Sequence, residues 1–364
     1  MNLFIAETSL QLLNMIELKH QLNLQDNLLV ILETGLFSKN YIKNLINDKE
    51  WEDIKYIKYN YVGRGYDFGL QRPRNLYERY LELYTTFNEF LKKRRLERIA
   101  ESVQYAKSVV LGNYREGSNA GLRHLVNRLG YEEIYIVDDG TDSILINEER
   151  KRSYIKDNSS NDANQSFLKQ IKSWIRKEYL QLNTEPAREV TFFTCYDIIT
   201  KPEDRLINNN YEYLRSLASE KEIINEVLFL GQCLVDDGYL TADIYISYLR
   251  AIKKYFMAAN FIYIPHPRES NKIIDLIQKS LKITIRRLHV PIEYEVSIRG
   301  NRPKYLISFF SSALESCSKI LSESTEIKAF YLYPEHLMAA KDNVSKVYDY
   351  YSGKADERIE VVML

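Results

Sequence analysis

Cysteine is scarce in this sequence: three residues in 364, at Cys195, Cys233 and Cys317. The number is odd and no C-x-x-C spacing occurs, so neither a disulfide framework nor a thiolate metal site is implied. The three read as small apolar residues of a reducing compartment. An excess of charge is also lacking, with 50 Lys plus Arg against 50 Asp plus Glu. That balance gives no footprint for nucleic acid as the main partner. No apolar run approaches the ~20 residues that span a bilayer. The opening stretch MNLFIAETSLQLLNMIELKH lacks a basic n-region and a small-residue cleavage site, so it does not read as a signal peptide. A cytoplasmic protein is expected. No cluster of His, Cys and carboxylates has metal-ligand spacing.

What is present suits a folded enzyme-sized chain. The apolar fraction is 45%, which fits a globular protein and not a disordered one. The length exceeds what one core usually supports, so two domains are expected. Short apolar runs at 2–6, 28–32, 54–59, 108–111 and 133–137 predict strands. Between them, 10–20, 75–106 and 118–129 have helical spacing. Such alternation means βαβ units and a mainly parallel sheet. Residues 151–165, KRSYIKDNSSNDANQ, read as a polar surface loop, and the basic amphipathic stretch FLKQIKSWIRKEYL follows. Asn183-Thr184-Glu185-Pro186 breaks the pattern, which places a domain boundary at 184/185. The second half predicts strands at 189–194, 227–230, 261–264 and 305–310. Helices are predicted at 241–259, 270–280 and 311–321, with a tail helix at 335–351 free to pack back on the first domain.

In open α/β sheets, ligands bind at the C-terminal ends of the strands. Three polar groups are predicted there. His266, in FIYIPHPRES, follows a strand and precedes a helix start at Glu269 or Ser270. It could bond a phosphate, or protonate a leaving phosphate oxygen, beside a helix dipole favouring the same anion. A histidine in an ordinary tight loop is an equal reading. Ser311 and Ser312 join a strand to a helix. They are helix caps, or the hydroxyls of a phosphate cradle. Asp138-Asp139-Gly140 follows the strand EIYIV. A carboxylate there can act as a general base, and the glycine permits a turn that exposes it; a plain Asp-Gly turn is the other reading. A second pair, Asp236-Asp237 before Gly238, competes for the base role.

This ordered set resembles bacterial sialyltransferases, which carry a D/E-D/E-G motif, then an HP motif, then an S or SS motif. Here these read Asp138-Asp139-Gly140, His266-Pro267 and Ser311-Ser312. The opening TSLQLLNMIE is similar to the TPLQLLN start of glycosyltransferase family 52, related to the polysialyltransferase-type enzymes. Leu230-Gly231-Gln232 and Pro291-Ile292-Glu293 look like further elements of that family. Cys233 stands where its "GQP" stretch has proline.

The resemblance implies an α/β GT-B fold, with two Rossmann-like domains facing a central cleft. Residues 1–184 would bind the acceptor and 185–364 the CMP-sugar donor. The reaction would be inverting and metal-independent, with no cofactor beyond the donor. It would move sialic acid from CMP-sialic acid to a hydroxyl of lipooligosaccharide or capsule. Asp139 or Asp138 would be the base, with Asp237 as rival because some relatives place the base in that region. His266, Pro267, Ser311 and Ser312 would hold the CMP phosphate, Glu293 the ribose, and Gly231 with Gln232 the nucleotide pocket. Relatives form homodimers, so that state is admitted.

Other features fit in more loosely. Asn113 and Arg115, in a Gly-containing turn, are candidate acceptor contacts, as is Gly63-Arg64-Gly65-Tyr66; a plain loop is the commoner meaning of both. Gly63, Gly65 and Gly69 do not form a dinucleotide fingerprint. Lys92-Lys93-Arg94-Arg95 and the basic face at 169–177 admit a peripheral contact with the inner membrane face, although such runs are usually solvated helix faces. Some of the 29 tyrosines would line a sugar site, and most would be half-buried packing residues. Three alternatives stand beside the main expectation: transfer of another CMP-nonulosonate (pseudaminic or legionaminic acid), a non-catalytic glycan-binding protein of the same fold, or, more weakly, a nucleotide-sugar epimerase of the same two-domain shape that would prefer a UDP-sugar.

Overall fold

The computed structural model describes residues 1–33, 42–43, 45–58, 93–115, 120–140, 142–157, 181–353 and 358–364. The Gly63–Gly69 segment, the first part of the helix expected at 75–106, Lys92, and the stretch 158–180 lie outside the described residues.

The described residues up to Asn209 form one compact unit and those from Asn210 a second. The first is built on a seven-stranded sheet: β1 Asn2–Ala6, β2 Asn27–Glu33, β3 Asp53–Lys58, β4 Tyr105–Leu111, β5 Gly130–Val137, β6 Thr191–Thr194 and β7 Arg205–Asn208. Its order is β3-β2-β1-β4-β5-β6-β7, and every pairing is parallel. The second sheet holds β8 Ile223–Leu230, β9 Asn260–Ile264, β10 Thr284–Ile285, β11 Arg302–Ser308, β12 Glu326–Phe330 and β13 Ile359–Val362. Its order is β10-β9-β8-β11-β12-β13, again all parallel. Both orders reverse beside their first strand, between β1 and β4 and between β8 and β11. This is the doubly wound Rossmann layout, in which the reversal opens a ligand crevice at the carboxyl ends. The expected α/β class, with two Rossmann-like parallel sheets, is therefore what the chain adopts.

The strands are continuous apolar runs because helices cover both faces of a parallel sheet. Leu3, Phe4, Ile5 and Ala6 are all fully buried in β1. The helices are α1 Ser9–Gln21, α2 Ala120–Val126, α3 Asp142–Asp157, α4 Glu212–Ser219, α5 Ala242–Tyr255, α6 Asn271–Leu281, α7 Ala313–Ile320 and α8 Lys341–Ser352. Thr8, Thr241 and Ser270 cap α1, α5 and α6 by accepting from Gln11 N, Ile244 N and Ile273 N. α6 buries Ile273, Ile274, Ile277 and Leu281, one face at helical spacing. Burying each stabilises the unit by roughly 1.5–3 kcal/mol. No helix among the described residues is long and apolar enough to cross a membrane.

Four expectations differ from the structure. Residues 151–157 continue α3 instead of forming a loop. The buried Arg150 explains this: its Nε and Nη2 each donate to Asp204 at 2.7 Å, tying the helix down. Similarly, Tyr105 and Ala106 belong to β4 and not to the preceding helix, which ends near residue 103. The boundary at 184/185 does not divide the sheets, since β6 and β7 extend the first sheet and the unit ends at Asn209. Asn183–Pro186 resembles a linker in composition but is held on α2, where Asn127 Nδ2 donates to Glu185 O and His124 Nδ1 accepts from Asn183 N. Finally, the tail helix α8 packs within the second unit: Val344 and Tyr348 join its core, and Tyr348 Oη donates to Phe330 O.

Candidate functional site

Polar side chains gather at the carboxyl ends of each sheet. In the first unit they centre on the turn after β5. Gly140 adopts φ 61°, a left-handed conformation that glycine tolerates, and the turn sends the two aspartates different ways. Asp138 is 2% exposed. Its carboxylate accepts from Ser143 Oγ and from Cys195 N (2.8 Å), and its carbonyl accepts from Asn14 Nδ2 (2.9 Å). It thus ties β5 to the start of α3, the end of β6 and α1. Burial pushes its carboxyl up to about 6, against the pull of those donors.

Asp139 is only half-buried. Oδ1 accepts from Thr8 Oγ1 at 2.8 Å, and Oδ2 from Gln11 Nε2 at 2.9 Å. Burial still raises its proton affinity. The Gln11 amide is oriented from its other end, because Oε1 accepts from Glu7 N at 2.8 Å. Gly112, at the end of β4, makes room for it: a Cβ there would lie 2.1 Å from Gln11 Cγ. The Asp139 carboxylate therefore sits beside the β1/β4 reversal. Asp142 lies close by, 3% exposed, pushed up to about 6 by burial and by the Asp139 charge. Arg115 faces it at 3.7 Å and bonds Glu149 Oε1 at 3.4 Å. Asn113 Oδ1 accepts from Arg115 N, so both acceptor candidates belong to the turn after β4, which reaches the start of α3 through Arg115 and Asp142.

In the second unit the centre is the turn after β9. Pro265 is buried, Pro267 is exposed, and His266 lies between them, partly buried. His266 N donates to Glu269 Oε2 at 2.7 Å. His266 Nδ1 accepts from Arg268 N at 3.2 Å and lies 3.2 Å from Cys233 Sγ. Burial, then the Arg268 charge, holds the imidazole down at about 4, so the ring is neutral near pH 7. Beneath the turn, Tyr263 Oη donates to Glu269 Oε1 at 2.6 Å, and Tyr245 Oη lies 2.8 Å from Tyr263 Oη. Burial pushes the Glu269 carboxyl up to about 7. Gly231 admits this stack, since a Cβ there would lie 2.5 Å from Tyr263 Oη and 2.6 Å from Glu269 Oε2.

Gln232 bridges the β8/β11 reversal: its Oε1 accepts from Phe310 N at 3.1 Å and lies 3.2 Å from Ser308 Oγ. That bond fixes the lead into α7. Ser311 Oγ accepts from Ala313 N at 3.3 Å, and Ser312 makes no capping bond. Both serines are half-buried. Glu293 is 4% exposed and accepts from Ser316 Oγ at 2.5 Å, behind α7. The rival carboxylates are latches. Asp236 Oδ2 accepts from Ser270 N at 2.9 Å, and Asp237 pairs with Arg268 at 3.1 Å. Among the described residues, no three or more His, Cys, Asp or Glu side chains are grouped to hold a metal ion.

Gly231, Gln232, Asp236, Asp237, His266 and Pro267 thus share one neighbourhood, joined through Gln232 to Ser311 and Ser312. Asp138, Asp139, Asn113 and Arg115 share another, in the first unit. Sequence reading missed Gln11 and Asn14, which hold the aspartate turn, and Glu269, Tyr263 and Tyr245, which hold the histidine turn. Gln11 had a signal: Thr8-x-x-Gln11 is a capping-box pattern directly after a strand.

No protein-family model matches the chain. No curated protein matches its sequence. Solved structures do match in shape. An alpha/beta-galactoside alpha-2,3-sialyltransferase from the luminous marine bacterium Photobacterium phosphoreum is 12% identical, over 99% of this chain and 97% of that one, with a TM-score of 0.48. UGT89C1 of Arabidopsis thaliana, in complex with UDP, is 12% identical over 100% and 85%, with a TM-score of 0.48. A family 9 glycosyl transferase from Veillonella parvula is 9% identical over 100% and 85%, with a TM-score of 0.40.

Proposed function

We propose that this chain is an inverting, metal-independent glycosyltransferase that moves sialic acid from CMP-sialic acid to a hydroxyl of a cell-surface glycan, such as lipooligosaccharide or capsule. The observation that carries this reading is the state of His266. Its Nδ1 accepts from Arg268 N, so the neutral ring keeps its proton on Nε2. A fixed N–H donor then stands at the carboxyl end of β9, just before the start of α6. A phosphate oxygen suits that donor and those helix termini.

The chemistry follows from where charge grows. The acceptor hydroxyl attacks the anomeric carbon as the bond from that carbon to the CMP phosphate oxygen breaks. One displacement inverts the centre. The hydroxyl proton passes to Asp139, whose raised proton affinity suits a base. Asp138 is saturated by its donors, and Asp237 is held by Arg268, so neither is the better base. Charge gathering on the phosphate meets His266 Nε2–H, the Ser311 and Ser312 hydroxyls, and the first N–H groups of α7. Such preset donors act most strongly in the transition state. Pro267 and Gly231 shape the nucleotide pocket with Gln232. We assign Glu293 a bracing role through Ser316, in place of direct contact with the ribose.

Calorimetry with CMP and turnover of a panel of CMP-sugars test the reading together. The wild type should bind CMP and release it from CMP-sialic acid, slowly even without acceptor. Asp139→Asn should keep CMP affinity and lose about 10²–10⁴ in transfer rate. His266→Ala should weaken CMP binding and slow donor cleavage. Donor cleavage as fast in His266→Ala as in the wild type would remove that residue from the mechanism. CMP binding with turnover only of CMP-pseudaminic or CMP-legionaminic acid would move the donor to those sugars. No affinity for any CMP species would leave a glycan-binding protein.

A further inference from the structure

Cys233 is 6% exposed in the turn after β8, with its Sγ 3.2 Å from His266 Nδ1. The same nitrogen receives the Arg268 amide at 3.2 Å. An amide N–H can only donate, so a protonated Nδ1 would set two hydrogens against each other. This geometry excludes a thiolate–imidazolium pair, in which both ring nitrogens carry protons. The thiol must instead present its S–H to Nδ1. The electrostatics agree: burial pushes the Cys233 thiol up to about 12, and burial holds His266 at about 4. Charged groups facing the pair are Arg268, Asp236, Asp237 and Glu269. A Cys–His nucleophile would need the thiolate that this environment disfavours. Proline, expected at 233 from the resemblance, has no side-chain donor to offer.

We propose that Cys233 is a positioning residue: its S–H joins the Arg268 amide in occupying Nδ1, which fixes His266 as the Nε2–H tautomer and aims that proton at the donor phosphate. The two backbone anchors of the turn complete the device. His266 N is held by Glu269, and Ser270 N by Asp236, so the backbone that carries the ring is fixed at both ends of the turn. Neutral imidazole has two tautomers, and the hydrogen bond at one nitrogen selects the proton's place on the other. The consequence for phosphate binding rests on the function proposed above. The tautomer itself does not.

Histidine ¹⁵N-labelling of the full chain separates the two. There are five histidines, and His266→Gln identifies the signal of interest. The two-bond ¹H–¹⁵N spectrum of the wild type should show an unprotonated, hydrogen-bonded Nδ1 and a protonated Nε2 at His266. In Cys233→Ala the Nδ1 resonance should move as it loses a donor, and CMP affinity should fall about five-fold, the effect of one ordinary hydrogen bond. Cys233→Ser keeps a donor and should restore both. Unmoved signals from His20, His124, His289 and His336 verify that each variant is folded. A wild-type His266 protonated at Nδ1 would overturn the inference. So would a Cys233→Ala spectrum and affinity equal to wild type, or a Cys233→Ser variant no better than Cys233→Ala. If the spectra behave as expected but nothing binds CMP, the nucleotide reading fails and the tautomer control stands.

Discussion

Asp138 and Asp139 are identical neighbours in the chain, and alternation at the end of β5 gives them different surroundings. Asp138 is buried, with its carboxylate accepting from Ser143 and Cys195 and its carbonyl from Asn14, whereas Asp139 is half-buried and its carboxylate accepts from Thr8 and Gln11. The sign of the pH effect at Asp138 follows from its environment. An unfolded aspartate has a pKa of about 3.9, and in the fold this one is pushed up to about 6. The folded state therefore holds the proton more tightly. The resulting stabilisation is fully present below about pH 4 and is lost as the pH rises through about 6. A shift of that size corresponds to about 3 kcal/mol. Asp142, also near 6, adds a slope of the same sign. Asp138→Asn should flatten the pH dependence of the urea midpoint between pH 4 and 8. It should also cost about 1–3 kcal/mol at pH 5, because an amide NH₂ would face Ser143 Oγ–H or Cys195 N–H. Parallel wild-type and variant curves across that range would refute the assignment. The Asp-Asp-Gly triplet marked this turn in the sequence. It could not say which carboxylate faces inward, because two of the three donors to Asp138, Asn14 and Cys195, are distant in the chain.

Element by element, periodicity recovered the apolar strands and the capped helices and failed where polar residues are buried in pairs or a strand lies exposed at a sheet edge. β12 was missed because Lys328 interrupts EIKAF; the structure buries that lysine between Glu326 and Glu360. β7, RLIN, is a mostly exposed edge strand with little apolar signal. α3 carries no apolar periodicity to announce it, and its second half falls in the stretch 151–165 that reads as a loop. Its polar stretch reads as a loop until Arg150 meets Asp204, and nothing local announces a partner 54 residues on. The side chains of that pair are 4% and 0% exposed. Asp204 Oδ1 also accepts from Val190 N, and Arg150 Nη2 donates to Arg188 O. Removing Arg150 leaves the buried Asp204 with only the longer ion pair to Lys201, at 3.9 Å. Arg150→Met alone should destabilise the first unit by about 3–5 kcal/mol, while Arg150→Met with Asp204→Leu should recover much of that loss. Chemical denaturation of the two variants decides this, and a double variant no more stable than the single one would show that the pair contributes more than its own neutralisation.

At the scale of the whole molecule, one strand order is used twice in one chain, each time with its polar residues at the reversal. The sequence made the repetition visible as alternating strands and helices. The boundary was legible only approximately, because β6 and β7 follow a polar stretch that looks like a linker and is anchored on α2. With no net charge to steer a ligand, the strand ends must do the selecting. The nucleotide belongs to the second unit on this reading, because that unit holds the neutral imidazole donor and the serine pair beside helix starts. Hydrogen exchange with and without CMP tests the division of labour. At about 100 times its Kd, CMP should slow exchange through ligand-coupled openings by up to about 100-fold. The protected amides should be those of 264–270 and 309–315, where backbone N–H groups and the His266 turn meet a phosphate. Protection confined to 112–115 and 138–143 would put the nucleotide on the first unit and reverse the roles of His266 and Asp139. Protection at neither would remove the nucleotide from both sheets, and with it the case for a CMP-sugar donor.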